Sequence, residues 1–406
     1  MHEASLARAA RQTRQGTSAV VADLLMSSRG DTLATFAACE RSLPDLRVPL
    51  RPELNPPLWE LGHVGWFQEY WIARNPQRGS GVRSDPLAPR AVPLRADADA
   101  LYDSSRVAHD LRWRLPLPDA AATRDDLARQ FETTLDLLRA AGTGDDALYF
   151  FRLALAHEDM HHEAALYMAR GLGIAIDDPR WRARVLPEPG DPLSLAARRW
   201  RLGGAAEGGF AFDNELPGAE VALDAFAIDA QAVRWAEFLP FVEAGGYEQL
   251  QWWSEAGARW RAAQASGLPR YLRHRAGAWE NWRGGRWDAL DPAEAACHLT
   301  KFEAEAWCRW AGRRLPSEAE GECAACTAGP VFRWGDVWEW TSSPFAPFPG
   351  FEPHPYRDYS APWFDGRPVL KGASHCTQPR MCHPKYRNFF PAGRNDVPAG
   401  FRSCVR

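Results

Sequence analysis

The chain has 406 residues, of which 46% are hydrophobic and 25% are charged, a composition typical of a soluble globular protein with roughly two or three domains. Its formal net charge of −4 provides no basic surface, so we expect no nucleic-acid partner. We find no apolar signal segment and no apolar run of roughly 20 residues, so we expect no membrane partner. The 8 scattered cysteines are typical of reduced thiols, and we expect a cytoplasmic monomer.

The first half of the sequence predicts helices, because apolar residues recur there at helical spacing. The predicted helices are residues 17–39, 55–75, 123–142 and 145–173. The third is predicted to begin with Thr123 as its cap, followed by an acidic first turn, and the fourth to end at Gly171 or Gly173. Four such helices favour an up-and-down bundle.

The second half has a different sequence pattern. A Pro-rich segment, residues 185–199, is predicted to be a linker. After it, short apolar runs are broken by Gly, Pro and Trp, which indicates an irregular α+β domain with short antiparallel strands and much loop. One amphipathic helix is predicted within it, at residues 300–314. The predicted organisation is therefore a helical domain at 1–184, the linker, and a second domain at 200–406.

The segment HEDMHHE, residues 157–163, carries the main chemical signal. On a helix His157 and His161 share a face, and His63 lies on the apolar stripe of an earlier helix. Three imidazoles meeting in a bundle core would bind a divalent first-row metal and leave coordination positions open. His162 is turned by about 100° from His161 and points elsewhere. The alternative is three separate histidines, each satisfied by a local hydrogen bond.

The first five letters of that segment also fit H-E-x-x-H, the helical zinc-peptidase signature. That chemistry needs a third ligand downstream, and the sequence after His162 has no suitable histidine. The sequence therefore favours a metal site completed by His63, which lies upstream, over a zinc peptidase. Glu158 is then predicted to be a carboxylate behind a ligand or on the surface, not a catalytic base.

Longer stretches resemble a known family. WELGHVGWFQEYW followed by HEDMH resembles the DinB-type bundle of the ergothioneine sulfoxide synthases. GGFAFDNELPGAEVALDAFAID, VWEWTSSPFAPFPGF and the ending YRNFFPAGRNDVPAGFR resemble the formylglycine-generating-enzyme-type domain fused to it. The resemblance covers nearly the whole chain. It implies a two-domain α+β fold: a DinB-like four-helix bundle, then a C-type-lectin-like domain of short antiparallel strands that forms the wall of the substrate pocket.

The resemblance also implies an activity. Members bind non-haem Fe(II) through three histidines, which here are His63, His157 and His161. With O2 and a sulfur donor they form a C–S bond at the imidazole C2 of hercynine, which is trimethylated histidine. Tyr356, in HPYRDYS, matches an active-site tyrosine and is expected to donate a proton, with Tyr359 nearby.

The family's RN segment holds hercynine and implies a set of substrate-binding residues: Arg387, Asn388, Phe389 and Phe390. Asn388 is expected to hydrogen-bond the substrate. The face of Phe389 suits the quaternary ammonium group by cation–π attraction. Without the resemblance, the same aromatic residues are equally typical of a protein core.

Two departures from the family bear on the donor. Ser105 and Arg106 stand where some members have a tyrosine pair, and Met160 stands where a substrate-binding Gln is common. We expect these three residues to contact substrate. With the ending of the chain, they resemble the selenoneine synthase branch, which joins a selenosugar to hercynine. The alternative is a sulfoxide synthase that uses γ-glutamylcysteine or cysteine.

Two other classes of function remain open. Cys376 and Cys382 lie near the position where formylglycine-generating enzymes bind copper, which would fit a copper thiol oxidase acting on a peptide. That activity needs no histidine-bearing bundle. The second class is a binding module without turnover.

Overall fold

The computed structural model describes residues 3–205 and 208–406 as a mixed α+β protein with a helical N-terminal half. The α-helices of this part of the chain are α1 (Glu3–Gln15), α2 (Ser18–Ser42), α3 (Pro57–Gln68), α4 (Ala98–Tyr102), α5 (Ala120–Arg139), α6 (Asp145–Leu172), α7 (Trp235–Glu243), α8 (Glu255–Ala262), α9 (Lys301–Trp310) and α10 (Glu318–Thr327). The helical half followed by a half with short strands confirms the predicted fold class.

The four predicted helices of the first half correspond to α2, α3, α5 and α6, which pack against one another. Helix α6 ends at Gly173, whose φ of 73° is left-handed, as the sequence predicted. The predicted start of α5 was wrong. Its cap is Asp119, whose carboxylate accepts from the backbone N–H of Ala122, while the Thr123 hydroxyl donates to the Asp119 carbonyl. The helix therefore begins at Ala120, earlier than predicted. Its first turn contains no acidic residue, so it lacked the signal on which the prediction relied.

The strands are short and lie in the second half. They are β1 (Leu193–Leu195), β2 (Arg198–Leu202), β3 (Ala219–Leu223), β4 (Phe226–Ile228), β5 (Leu272–Arg275), β6 (Ala278–Arg283), β7 (Arg286–Ala289), β8 (Arg313–Arg314), β9 (Trp338–Pro344), β10 (Pro368–Gly372), β11 (Asn388–Phe389), β12 (Ala399–Gly400) and β13 (Cys404–Val405). Strand β1 lies inside the segment predicted to be a linker and pairs with β4, because Leu195 and Phe226 are both buried in one apolar cluster.

The sheet that bears on function has the order β11-β10-β9-β12. Strands β9, β10 and β11 are antiparallel, and β12 runs parallel to β9. The register places Asn388 beside Leu370, and Leu370 beside Trp340. The helix predicted at residues 300–314 is α9, which begins with a capping box between Thr300 and Glu303.

Helix α6 contacts both halves of the chain. It packs against α2 and α3 in the helical half and contacts loops of the second half. No helix of the described ranges combines the length and the apolar character that crossing a membrane requires.

His162 on α6 is buried, and its two ring nitrogens contact the Thr35 hydroxyl and the Gln378 amide. Burial lowers its pKa from 6.5 to about 4. The unfolded chain therefore takes up this proton first, and stability present above about pH 6.5 is lost as the pH falls toward 4. At about pH 5 the loss from this residue is roughly 2 kcal/mol.

We expect His162→Gln to lose less stability than the parent protein between about pH 7 and pH 5, by roughly that 2 kcal/mol. Urea unfolding at both pH values measures it. The exposed His274, changed to Gln, is the control and should follow the parent curve. Parallel losses in His162→Gln and the parent would contradict the prediction.

Candidate metal centre

Three histidines meet between α3 and α6. One ring nitrogen from each of His63, His157 and His161 lies within 4.8 Å of the others, and we call these residues the histidine cluster. His63 and His157 are each 3% exposed, while the His161 side chain is 24% exposed. The separation of the nitrogen atoms is compatible with one cation held by all three rings.

Two of the rings are oriented by hydrogen bonds at Nδ1. The Nδ1 atom of His63 lies 2.8 Å from the carbonyl oxygen of Tyr102, and a carbonyl can only accept, so this nitrogen carries the proton. The Nδ1 atom of His161 donates to the carboxylate of Glu60. In both rings the lone pair is therefore on Nε2, and the hydrogen bond fixes the ring orientation as in known metal sites.

The third ring is held by packing. Phe67 stacks on His157 with ring centroids 3.5 Å apart and an interplanar angle of 3°. Trp59 stacks in the same way on His63, at 4.7 Å. Among the described residues none hydrogen-bonds Nδ1 of His157. These aromatic rings exclude water from one side of the histidine cluster.

The electrostatics favour neutral imidazoles at His63 and His157. Burial lowers the pKa of His63 to about 3, and burial with the neighbouring His161 holds the pKa of His157 well below its usual value. Burial alone would raise the pKa of Glu60, but the adjacent His161 ring holds it below the ordinary value. These two rings therefore keep the free lone pairs that metal binding requires, and the Glu60 carboxylate beside His161 stays ionised.

Glu60 is a functional residue that the sequence analysis missed. It lies three positions before His63 on α3, a spacing that places both on one face of a helix, so the signal was present. Glu158 was predicted to lie behind a metal ligand or on the surface, and the structure places it in neither position. It is 1% exposed and forms an ion pair with Arg29, at 2.8 Å, on the side of α6 that faces α2.

The second half contributes a wall of three tyrosines beside the histidine cluster. The ring of Tyr356 is 6.3 Å from that of His157, and 6.2 Å from that of Tyr359. The hydroxyl groups of Tyr359 and Tyr386 are 3.1 Å apart, and the Tyr386 hydroxyl lies 3.4 Å from Sδ of Met160. We call Tyr356, Tyr359 and Tyr386 the tyrosine wall. Its contacts start at His157 and end at Met160, which lie three positions apart on α6 and are therefore neighbours on the helix surface.

Arg387 lies behind this wall, although it was predicted to contact substrate. Its guanidinium is bound by the Glu318 carboxylate at 2.7 Å and by the carbonyl oxygens of Asn214 and Ala346. The side chain is 2% exposed and lies over the ring of Phe348. Its charge is already neutralised, and its role in the structure is to hold loops together.

Of the other residues predicted from the RN segment, Phe389 contacts the tyrosine wall. Phe389 stacks on Phe345 at 4.1 Å and meets Tyr359 edge-on at 6.1 Å. Asn388 starts β11, and its side-chain oxygen accepts from the backbone N–H of Phe389. Phe390 lies under the guanidinium of Arg394, at 4.8 Å.

Ser105 and Arg106 lie in the turn that follows α4. Both bind the carboxylate of Asp103, Ser105 through its hydroxyl at 2.6 Å and Arg106 at 3.1 Å with a side chain 76% exposed. The carbonyl of the preceding Tyr102 accepts from His63, so the turn is adjacent to the histidine cluster.

Cys376 and Cys382 are both buried, and burial raises the pKa of each thiol. The neutral thiol is therefore favoured over the thiolate that Cu(I) binds. Both residues belong to the loop that packs on α6, where the Cys382 thiol lies 3.5 Å from the Gln378 carbonyl oxygen. This environment is typical of structural cysteines.

Comparison with known proteins agrees with this geometry. Residues 199–336 match the family model described as Sulfatase-modifying factor enzyme 1-like domain. The chain is 30% identical over 400 residues to hercynine oxygenase of Mycobacterium tuberculosis, an alignment that covers 86% of this chain and 91% of that protein. The chain belongs to the hercynine oxygenase family. The corresponding protein of Mycolicibacterium smegmatis is 31% identical over 423 residues, with 88% and 92% coverage.

Similarity to the formylglycine-generating enzyme of Streptomyces coelicolor is narrower, at 28% identity over 258 residues and 48% of this chain. That alignment covers 80% of the Streptomyces enzyme. The predicted synthase family is thus confirmed at the level of the hercynine oxygenase family, whose members are oxidative enzymes. The selenium-using branch within it stays a prediction.

We expect Glu60→Ala to weaken binding of a divalent metal by about 10- to 100-fold, because His161 loses the carboxylate that orients it. Glu60→Gln keeps an oxygen acceptor and should lose much less. Titration with Co(II), followed by its visible absorption, measures the affinity. The exposed Glu132 on α5, changed to Ala, is the control. Parent-like affinity in Glu60→Ala would show that this hydrogen bond does not support the site.

Proposed function

We propose that this hercynine oxygenase family member uses Fe(II) and O2 to join a chalcogen donor to the imidazole C2 of hercynine, with a selenosugar as the donor. The observation that carries the proposal is the histidine cluster, in which two rings have Nδ1 engaged and Nε2 free. Such a set of neutral imidazoles fits Fe(II). Bound Fe(II) would supply a redox-active cation with open positions for O2 and substrate.

The surrounding residues hold the reactants and a proton. Phe67 and Trp59 shield the cluster from water, and Glu60 orients His161. Burial raises the pKa of Tyr356, so its phenol oxygen keeps its proton at neutral pH and can donate it toward bound substrate. Tyr356→Phe, which keeps the ring and removes that proton, is the matched variant for this role.

Hercynine carries a quaternary ammonium group, which aromatic faces attract. Phe389 and Tyr359, in edge-to-face contact at 6.1 Å, provide such faces near the tyrosine wall. Asn388 precedes Phe389 and carries an amide for a further hydrogen bond. These contacts support the predicted role of the RN segment, with Arg387 in a supporting position behind it.

Charge pairing supports the sugar donor. γ-Glutamylcysteine carries two carboxylates, which are usually bound by Arg or Lys. Arg106 is paired with Asp103 and Arg387 with Glu318. Arg112, which forms no ion pair within the described residues, lies over Trp59 at 4.0 Å and donates to the Asn55 side chain, at the end of the histidine cluster away from Phe67 and Tyr356. An uncharged sugar needs no such partner, and the soft thioether of Met160 suits a polarisable selenium atom. Ser105 and Arg106 would then contact the sugar through hydrogen bonds.

We expect His63→Ala, His157→Ala and His161→Ala each to lose iron and turnover, because each removes one ligand. His162→Ala is the matched control from the same helix and should keep iron, since its ring contacts Thr35 and Gln378 instead. Iron content by elemental analysis and product by mass spectrometry are the measurements. Full activity in His63→Ala would contradict the three-histidine site.

The donor is tested by competition. The Fe(II) protein is supplied with hercynine, O2 and equal amounts of a selenosugar, γ-glutamylcysteine and cysteine, and the products are identified by mass. We expect selenoneine-type product from the selenosugar. A sulfoxide alone, with the selenosugar unconsumed, would overturn the donor assignment while leaving the C–chalcogen reaction in place. An iron spectrum that hercynine leaves unchanged without O2 would instead favour a binding module.

A further inference from the structure

Hercynine, the proposed substrate, has a carboxylate, and none of the residues discussed above has been assigned to bind it. Two carbon atoms separate this carboxylate from the imidazole ring, so it lies near whatever wall borders the histidine cluster. Arg387 is engaged by Glu318 at 2.7 Å, and Arg106 extends into solvent with Asp103. Arg112 lies over Trp59 at 4.0 Å, at the end of the histidine cluster away from Phe67 and Tyr356. A carboxylate bound on the side of the tyrosine wall is therefore met by neutral hydrogen-bond donors.

The tyrosine wall contains such a donor. The Tyr386 hydroxyl lies 3.4 Å from Sδ of Met160, and a thioether is a weak acceptor. The Tyr359 hydroxyl, 3.1 Å away, can donate to the oxygen of Tyr386, which leaves the Tyr386 proton directed toward Met160. Met160 is half-buried and lies three positions after His157 on α6, so the two side chains are neighbours on the helix surface. The Tyr386 proton is thus directed at a weak acceptor beside the side chain of His157.

Tyr386 is also held firmly. Its ring is 4% exposed and packs against Trp338, at 5.6 Å between centroids, and against Phe212, at 5.3 Å. The indole N–H of Trp338 donates to the carboxylate of Glu163 on α6 at 2.7 Å. Because the same Glu163 oxygen accepts from Ser374 and Thr377, at 2.8 and 2.9 Å, the support is rigid. A donor in a fixed position loses little entropy when it binds a ligand.

We propose that the Tyr386 hydroxyl donates a hydrogen bond to the carboxylate of hercynine and so selects the carboxylated substrate. This inference rests on the proposed function, because it requires hercynine to bind at the histidine cluster. A carboxylate replaces a thioether as the acceptor of the Tyr386 proton, which is a gain typical of hydrogen bonds to charged groups. Tyr386 was not among the residues predicted from the sequence to bind substrate, whereas its neighbours Arg387 and Asn388 were.

The test compares two ligands on two proteins. Hercynine and its decarboxylated analogue, N,N,N-trimethylhistamine, are titrated by calorimetry into the Fe(II) protein without O2. We expect Tyr386→Phe to bind hercynine about 10- to 100-fold more weakly and the analogue with parent affinity, because only hercynine offers the charged acceptor. Tyr271→Phe, which removes a buried hydroxyl outside the tyrosine wall, is the matched control and should bind both ligands as the parent does.

The outcomes separate the two levels of the proposal. Unchanged hercynine affinity in Tyr386→Phe overturns the inference, and so does an equal loss for hercynine and the analogue, which would indicate a role in packing. Failure of the parent protein to bind hercynine overturns the proposed function itself. Iron content and thermal melting of Tyr386→Phe are measured alongside and should match the parent, since its ring and supports are kept.

Discussion

The structure depends on the burial of one helical segment, residues 157–163 of α6, between the helical half and the second half. A buried polar group must find a partner or it costs several times the energy of a normal hydrogen bond. This segment consists almost entirely of polar residues, so its burial requires partners for most of them. Asp159 binds Arg380 at 2.7 Å, and Glu163 binds Trp338 at 2.7 Å. His162 bonds to Thr35 at 3.0 Å.

Those partners come from different parts of the chain, and the helix therefore connects the metal centre with the substrate wall. The histidine cluster lies on the side that faces α3, and Met160 and Glu163 lie on the side that faces the tyrosine wall. Asp159 and Glu163 reach the loop of residues 374–382 from the second half. Because one helix presents His157, His161, Met160 and Glu163, it fixes two of the metal-site histidines relative to the residues that contact or support the tyrosine wall.

Periodicity in the sequence was sufficient for some of these features. The spacing of His157 and His161 and the apolar stripe around His63 predicted that the three would meet, and the hydrophobic pattern located the helices that carry them. The hydrogen-bond and ion-pair partners of the buried polar residues could not be predicted from periodicity. The family resemblance placed Arg387 among the substrate-binding residues, and nothing in the local sequence indicated its neutralising partner, Glu318, which is 69 positions away in the chain. The start of α5 was misplaced because Thr123 and Asp119 are both good caps, and local sequence did not rank them.

The proposed function requires the site to bind a dication and a zwitterion together, and the distribution of charge is compatible with this. Three neutral imidazoles add no charge of their own, so a bound dication keeps its full positive charge apart from what Glu60 offsets through His161. Further guanidinium groups in the same space would repel that cation and compete with it for the substrate carboxylate. Arg387 is paired with Glu318 and Arg106 with Asp103, while Arg112 lies over Trp59 at the end of the cluster away from the tyrosine wall. On the side of the tyrosine wall, neutral phenols and aromatic faces are left to distinguish the two ends of the proposed substrate.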